Sequence, residues 1–281
     1  MAIPILHSWP RYFTDPDEGL GSSYERIILN DLLHRVCAHY PVQNLLEAPS
    51  FGFTGLSGIN SMHLAKQGKE VTLVDHDAQR VASIEALWRS LPLPLSAHRL
   101  DDYSSLPFAD DQFDLSWNFS ALWFTCDLEA FLAELSRVTN RVILLCVPNR
   151  SGLGYISQAL LGHEELKREL NEDHIKPQVF VPIMKKLGWK LMHWNYIDCP
   201  PWPDIGMPKE KFLKIFGLQW ILPSQENNQP LSIMNYYRDE QPAFPEEMRQ
   251  HAWFERRAPG FMKHFWAHHR YYLFEPGSCD E

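Results

Sequence analysis

A glycine-rich turn and one acidic residue carry the first chemical signal. Leu45-Leu-Glu-Ala-Pro-Ser-Phe-Gly-Phe-Thr-Gly-Leu-Ser-Gly58 lies between a short apolar run and a helical stretch. Glycine has no Cβ, so the chain can turn tightly there and let a ligand approach the backbone. The helix that follows offers unpaired N–H groups to an anionic group. Asp75 closes the next β-branched run, 23 residues after Gly52 and 17 after Gly58. A carboxylate about 20 residues beyond such a turn is placed to accept both hydroxyls of a ribose. Turn, helix and Asp75 together point to a nucleoside-containing ligand. A tight turn with no ligand is the competing reading.

The remaining chemistry-bearing side chains are scattered. His34, His163, His174, His193 and His264 sit in no motif that would mark one as a base, so no catalytic residue is assigned. His264, His268 and His269 form an H-x-x-x-H-H cluster. On a helix the first two share a face and can bind metal. The segment 270–274 alternates like a strand, however, and no cysteine or acidic residue adjoins the cluster, so no metal is expected.

The elements that must hold these residues follow from periodicity. Ser22 or Ser23 is expected to cap a helix running to about His39, with Ile27, Ile28, Leu32 and Val36 as its apolar stripe and Pro41 as its stop. A strand is expected at 44–47, a helix at 59–67, a strand at 70–75 and a helix at 78–91. A weak strand at 95–100 and a better one at 113–119 come next. Asp127 is expected to cap a helix through Val138 with Leu128, Phe131, Leu132 and Leu135 on one face. The apolar run 141–147 reads as a central parallel strand covered on both sides. Residues 44–147 therefore repeat strand and helix, the pattern of a parallel α/β sheet. Beyond 150 we expect a charged helical stretch at 164–171, a helix at 179–187, a strand at 189–196, a short helix at 209–216 and a last strand at 270–274.

A second set of residues separates the nucleoside ligands from one another. Leu100-Asp-Asp-Tyr-Ser-Ser-Leu-Pro-Phe108 precedes Phe113-Asp-Leu115, Leu128-Glu-Ala-Phe-Leu-Ala-Glu-Leu-Ser-Arg-Val138 and the strand ending at Pro148. In this order the chain resembles the class I S-adenosylmethionine-dependent methyltransferases, near the branch of the ubiquinone and menaquinone C-methyltransferases. The resemblance spans about residues 43–148. It implies S-adenosylmethionine as cofactor and an α/β, Rossmann-like sheet of seven mostly parallel strands with helices on both faces. It also implies roles for single residues. Glu47 orients the methionine end. Gly52, Gly55 and Gly58 form the glycine loop. Asp75 binds the ribose, with His76 beside the adenine. Asp102 accepts from the adenine amino group, and Tyr103 supplies the adjoining amide. Asn118 and Phe119 stand beside the methionine and its methyl. The loop departs from the family in having Ala-Pro-Ser-Phe between Glu47 and its first glycine. Tyr24 covers the cofactor on this reading, or simply packs its helix on the sheet.

Within that frame residues 1–42 form an N-terminal helical segment and 43–197 the cofactor-binding domain. Residues 198–266 form an inserted lid over the strand ends, and 267–281 the final strand and tail. Trp123, Trp202, Trp220, Tyr236, Tyr237, Trp253 and Trp266 either line an apolar acceptor pocket or form the small core of that insertion.

Composition narrows the function. The chain has 281 residues, with 35 acidic against 26 basic side chains and a net charge of −9. Phosphate backbones reward clustered Lys and Arg, so nucleic acid is a poor partner, and a small-molecule acceptor is expected. No run approaches the roughly 20 apolar residues of a membrane span. Five cysteines without a CxxC pair and an N-terminus without signal-peptide order suggest a cytoplasmic protein with reduced thiols. Three alternatives stand beside methyl transfer to a small molecule: a non-catalytic cofactor-binding or partner protein with the same fold, a nicotinamide-dependent oxidoreductase, and a protein or nucleic-acid methyltransferase.

Overall fold

The computed structural model describes residues 7–15, 17–52, 55–160, 169–202 and 232–277. The strands are β1 (Asn44–Glu47), β2 (Glu70–Asp75), β3 (Ser96–Arg99), β4 (Phe113–Phe119), β5 (Thr139–Pro148), β6 (Trp189–Ile197) and β7 (His269–Pro276). They form one seven-stranded sheet in the order β3-β2-β1-β4-β5-β7-β6. Strand β7 runs antiparallel to both β5 and β6, while the pairs among β1 to β5 are parallel.

The two faces of the sheet are covered by different helices, and the side-chain alternation of each strand shows how. Val142, Leu144 and Cys146 of β5 join Leu45 and Leu115 on one face. The residues between them, Ile143, Leu145 and Val147, join Leu46 and Val74 on the other. The first face is covered by α2 (Gly19–His39), α3 (Met62–Lys66) and α4 (Ala78–Arg89). The second is covered by α5 (Leu128–Val138) and α7 (Pro177–Lys186), whose Phe131, Leu135, Phe180 and Met184 are fully buried. A strand walled on both sides must be apolar at every position, as β5 is through its Val-Ile-Leu-Leu-Cys-Val core. Helix α5 starts where its Asp127 side chain accepts from the Ala130 N–H, capping one of the orphan donors of the first turn.

The largest differences from the expected boundaries are at two helix starts. Helix α2 begins at Gly19, so Ser22 and Ser23 lie inside its first turns and do not cap it. The Gly19 N–H donates instead to Asp17 Oδ1 at 2.9 Å. Helix α3 is five residues long and starts at Met62, because the chain from Gly55 to Asn60 is irregular and Gly58 sits at φ 72°. The expected helix at 209–216, most of the stretch at 164–171, Trp220 and His163 lie outside the described residues.

Within the segment expected to cover the strand ends, the described part packs in two ways. Helices α8 (Ile233–Tyr237) and α9 (Phe244–Arg249) lie along α2. Asn30 donates to Tyr237 Oη at 3.1 Å, and Arg249 pairs with Asp31 at 2.7 Å. Helices α10 (Trp253–Arg257) and α11 (Gly260–Trp266) reach the carboxyl edge of the sheet. There Tyr24 Oη donates to Glu255 at 2.8 Å and Trp266 Nε1 to the Pro200 carbonyl at 2.7 Å. Trp123, Trp202 and Tyr237 are buried core side chains, whereas Trp253 is 43% exposed. Among the described residues no helix is long and apolar enough to cross a membrane.

Candidate functional site

The carboxyl ends of β1, β2 and β4 and the turn after β3 converge on one edge of the sheet, as the reversal of strand order at β1 and β4 requires. A cleft of about 270 Å³ opens there, walled by Phe51, His76, Arg80, Asp102, Tyr103 and Phe124. Asp102 is exposed and accepts the Ser104 N–H at 3.0 Å. Its hydrogen bonds with Ser104 hold its carboxyl below the usual range, so it is an ionised acceptor at the mouth of the cleft. The Tyr103 ring is buried, and its hydroxyl meets His76 Nδ1 at 2.9 Å. His76 Nε2 lies 3.3 Å from an Arg80 nitrogen, which can only donate. The imidazole therefore accepts at Nε2 and carries its proton on Nδ1, the neutral tautomer. Burial, which lowers the His76 pKa, favours the same state.

Asp75 stands where the sequence places it, at the end of β2, but it is fully engaged. Arg80 Nε donates to Oδ2 at 2.8 Å and its Nη2 to Oδ1 at 2.5 Å. Ser50 Oγ donates to Oδ2 at 3.2 Å and the Asp77 N–H to Oδ1 at 2.9 Å. Those four donors fill the four lone-pair positions of a carboxylate. Both partners of the ion pair are 1–2% exposed. The Arg80 guanidinium also sits 3.5 Å above the Phe51 ring, a cation–π contact that closes the floor of the cleft.

The extra residues of the loop explain this arrangement. After β1 the Ala48 N–H donates to the Trp117 carbonyl and the Ser50 N–H to that of Val74. The chain thus carries the ladder onward between β4 and β2 instead of turning at once, and Phe51 lands beneath Arg80. The glycines then face protein atoms. A Cβ on Gly52 would lie 1.9 Å from the Phe119 carbonyl oxygen, one on Gly55 2.4 Å from Glu18 Oε1, and one on Gly58 2.4 Å from Ile84.

Glu47 is buried beneath this loop. It accepts from Ser61 Oγ at 2.5 Å and Asn60 Nδ2 at 3.1 Å. Asn60 Oδ1 in turn accepts from Arg26 at 2.7 Å. Arg26 is clamped between Glu18 and the Leu56 carbonyl, and Glu18 also accepts the Leu56 N–H at 2.7 Å. The Glu18–Arg26 pair, both residues on the N-terminal segment, pins the glycine loop to α2. Burial pushes the Glu47 carboxyl up to about 7. A carboxyl raised in the folded state favours folding at low pH and loses that advantage as pH rises through the folded value. From about pH 4.5 to 7 Glu47 should therefore erode stability by about 3 kcal/mol. Denaturant unfolding across that range should show this slope in the native chain and its loss in Glu47→Gln.

Comparison with known proteins agrees with this geometry. Residues 53–142 match the family described as "Methyltransferase domain". Over that stretch the chain carries a class I S-adenosylmethionine-dependent methyltransferase domain. A malonyl-[acyl-carrier protein] O-methyltransferase of Erwinia billingiae is 34% identical over 80 residues, 28% of this chain and 30% of that protein. A solved complex between the Haloferax volcanii Trm112 methyltransferase activator and a methyltransferase aligns over 98% of this chain and 100% of the matched chain. Its TM-score is 0.52 at 13% identity. A sarcosine dimethylglycine methyltransferase structure from Galdieria sulphuraria aligns over 88% and 85% of the two chains, with TM-score 0.51 and 14% identity. At such identities these structures establish the shared fold.

A second polar cluster adjoins the carboxyl end of β4. Asn118 is fully buried, with Nδ2 3.3 Å from the Ala48 carbonyl and Oδ1 without a partner among the described residues. The Phe119 ring lies 4.5 Å, centroid to centroid, from His269. Around His269 gather Glu25 from α2, Asp198 just beyond β6, and His268. Glu255 and Tyr24 adjoin them. Burial raises the Asp198 and Glu255 carboxyls. For Glu25 burial acts upward too, but the neighbouring His269 outweighs it and the net direction is down. The sequence shows no acidic partner beside the histidines; the fold supplies two from residues about 70 and 240 positions away. His264 does not join them: it lies on α11 against Tyr196 and Arg270.

Arg80, Phe51, Glu18, Arg26, Glu25 and Asp198 are the site residues that sequence reasoning misses. Only Arg80 carried a local signal, one turn and a residue beyond Asp75 on the following helix. Glu18 and Arg26 pair eight residues apart but act on the loop at Leu56, and the others pair across the fold.

Proposed function

We propose that this chain transfers a methyl group from S-adenosylmethionine to a small, partly apolar acceptor. The observation that carries the reading is one cleft at the carboxyl edge of the sheet with Asp102 at its mouth and Asp75, at the end of β2, held directly behind the Arg80 that lines it. In this reading Asp75 takes the ribose hydroxyls once Arg80 swings out, and Asp102 takes the adenine amino group. His76 and the Tyr103 amide flank the adenine. Glu47, Asn118, Phe119 and the loop at Gly52, Gly55 and Gly58 border the methionine end. The acceptor's lone pair attacks the methyl carbon as its bond to sulfur breaks, leaving neutral S-adenosylhomocysteine. Because the sulfonium is already activated, alignment of nucleophile, carbon and sulfur is the main demand on the protein. Of the segment expected as a lid, helices α10 and α11, which reach the carboxyl edge of the sheet, cover the acceptor.

The acidic balance and the aromatic side chains of that segment support a flat, partly apolar acceptor. The Erwinia relative is named for methylating a malonyl acyl-carrier protein, but the shared 80 residues are too short a stretch to carry the acceptor over.

A second reading, a non-catalytic partner protein with this fold, is favoured by one observation: the lone pairs of Asp75 are all taken. Calorimetry separates the two. Binding of S-adenosylhomocysteine, with no heat from NAD, is the expected result. No binding by the native chain or by Arg80→Met supports the partner protein instead. For the acceptor, transfer of labelled methyl to aromatic and quinone-like metabolites is expected over sugars, amines or a host protein pool. Label confined to the protein pool would overturn the acceptor class.

A further inference from the structure

We propose that Glu25, Asp198 and His269 form a binding site for a divalent transition-metal ion beside the end of β4. The three residues come from separate elements: α2, the turn after β6 and the first position of β7. One ligand atom from each lies within 4.8 Å of the other two. His269 Nδ1 is 2.9 Å from Glu25 Oε1 and 3.9 Å from Asp198 Oδ2. All three side chains are 1–2% exposed.

The alignment of these atoms separates a cation site from an ordinary ion pair. A histidine that only pairs with a carboxylate directs its N–H at the oxygen. Here Glu25 Oε1 and His269 Nδ1 lie at pairing distance, yet neither has an aligned hydrogen-bond partner among the described residues. Asp198 Oδ1 also has none. Glu25 Oε1, His269 Nδ1 and, on the adjoining carboxylate, Asp198 Oδ1 are buried lone-pair atoms without hydrogen bonds among the described residues, which is costly unless a cation lies beside them. Ligand bonds of about 2.0–2.2 Å place neighbouring donors roughly 3–3.5 Å apart; the Glu25–His269 pair is already near that spacing, and the Asp198 oxygen, within 4.8 Å of both, draws in to close the site.

The surroundings resemble a metal's outer layer. His268 Nδ1 contacts Asp198 Oδ2 at 2.5 Å and so fixes the carboxylate's direction, as partners behind metal ligands do. One imidazole and two carboxylates suit Zn²⁺, Mn²⁺ or Fe²⁺ better than Ca²⁺ or Mg²⁺, which take oxygen ligands. Two negative charges match the ion's charge. Three protein ligands leave a position open to another molecule. Phe119 borders the cluster. Any part such an ion plays toward an acceptor rests on the methyl-transfer reading; its binding does not.

The test uses Co²⁺ as a spectroscopic probe on the full chain after treatment with a chelator. The expected result is uptake of one Co²⁺ per chain, visible bands of a nitrogen–oxygen site, and a higher melting temperature in its presence. Asp198→Asn and Glu25→Gln, which keep side-chain shape, should weaken Co²⁺ at least tenfold and lose the bands and the thermal shift. His269→Ala should do the same, and His264→Ala should bind as the native chain does. Circular dichroism checks that each variant is folded, and the two isosteric changes suffice if His269→Ala is not. No uptake by the native chain, or equal affinity in Asp198→Asn and Glu25→Gln, overturns the site and leaves a proton-sharing cluster. Failure to bind S-adenosylhomocysteine would count against methyl transfer while leaving this result intact.

Discussion

Arg80→Met should bind S-adenosylhomocysteine at least tenfold more tightly than the native chain while unfolding more easily. If Asp75 binds the ribose as proposed, the ligand has to displace a bidentate, buried guanidinium to reach it. Methionine fills much of the same volume over Phe51 but offers no donor, so both carboxylate oxygens regain free lone pairs. Tenfold corresponds to about 1.4 kcal/mol, less than the ~1.5–3 kcal/mol of one hydrogen bond to a charged group. The cost appears in stability. Removing one member of a buried ion pair typically destabilises by ~3–5 kcal/mol, here lessened because Ser50 and the Asp77 N–H still serve Asp75. Calorimetry and urea unfolding on the same preparation measure both effects. Weaker binding in the variant would show that Arg80 belongs to the bound state, not that it competes with it.

Arg26→Met should destabilise the protein by ~3–5 kcal/mol, the largest loss expected from one substitution on α2. Arg26 is 1% exposed and holds Glu18, Asn60 and the Leu56 carbonyl together. Its loss leaves the Glu18 carboxylate, which is completely buried, with the Leu56 N–H as its remaining partner among the described residues. Because Leu56 belongs to the glycine loop, affinity for S-adenosylhomocysteine should fall with stability. Glu18→Gln combined with Arg26→Met should recover part of the stability, since no unpaired charge then remains. Urea midpoints for the single and double variants test this; an unchanged midpoint in Arg26→Met would mean the clamp contributes nothing.

How far the sequence was legible depends on the range over which each signal acts. Strand β4 was readable to the residue, and β5 and α5 nearly so, because their patterns are local. An uninterrupted apolar run marks a strand walled on both sides, and a capping Asp127 followed by a stripe marks a helix on one. The start of α2 was misread because serines fit a cap by type, while the helix is continued by contacts that lie elsewhere in the fold. The same contrast holds at the site. That Glu47, Asp75, Asn118 and Phe119 end strands follows from period and order; Asp102, in the turn after β3, is singled out by the family resemblance, as are the roles of Glu47, Asn118 and Phe119. Their engagements follow from neither.

The sequence by itself determined the architecture: repeated strand and helix, a β2 ending in an acid, and a late pair of strands closing the sheet, each written in neighbouring residues. Only the tertiary structure decided what the acids hold. It gave Asp75 to Arg80, buried Glu47 under Asn60 and Ser61, and clamped the glycine loop with Glu18 and Arg26. It also brought Glu25 and Asp198 to His269 across most of the chain's length. The physical reason is one of range. Periodicity and capping depend on residues a few positions apart, whereas a buried charge is satisfied by whichever group the completed fold places against it, and sequence spacing does not record that meeting.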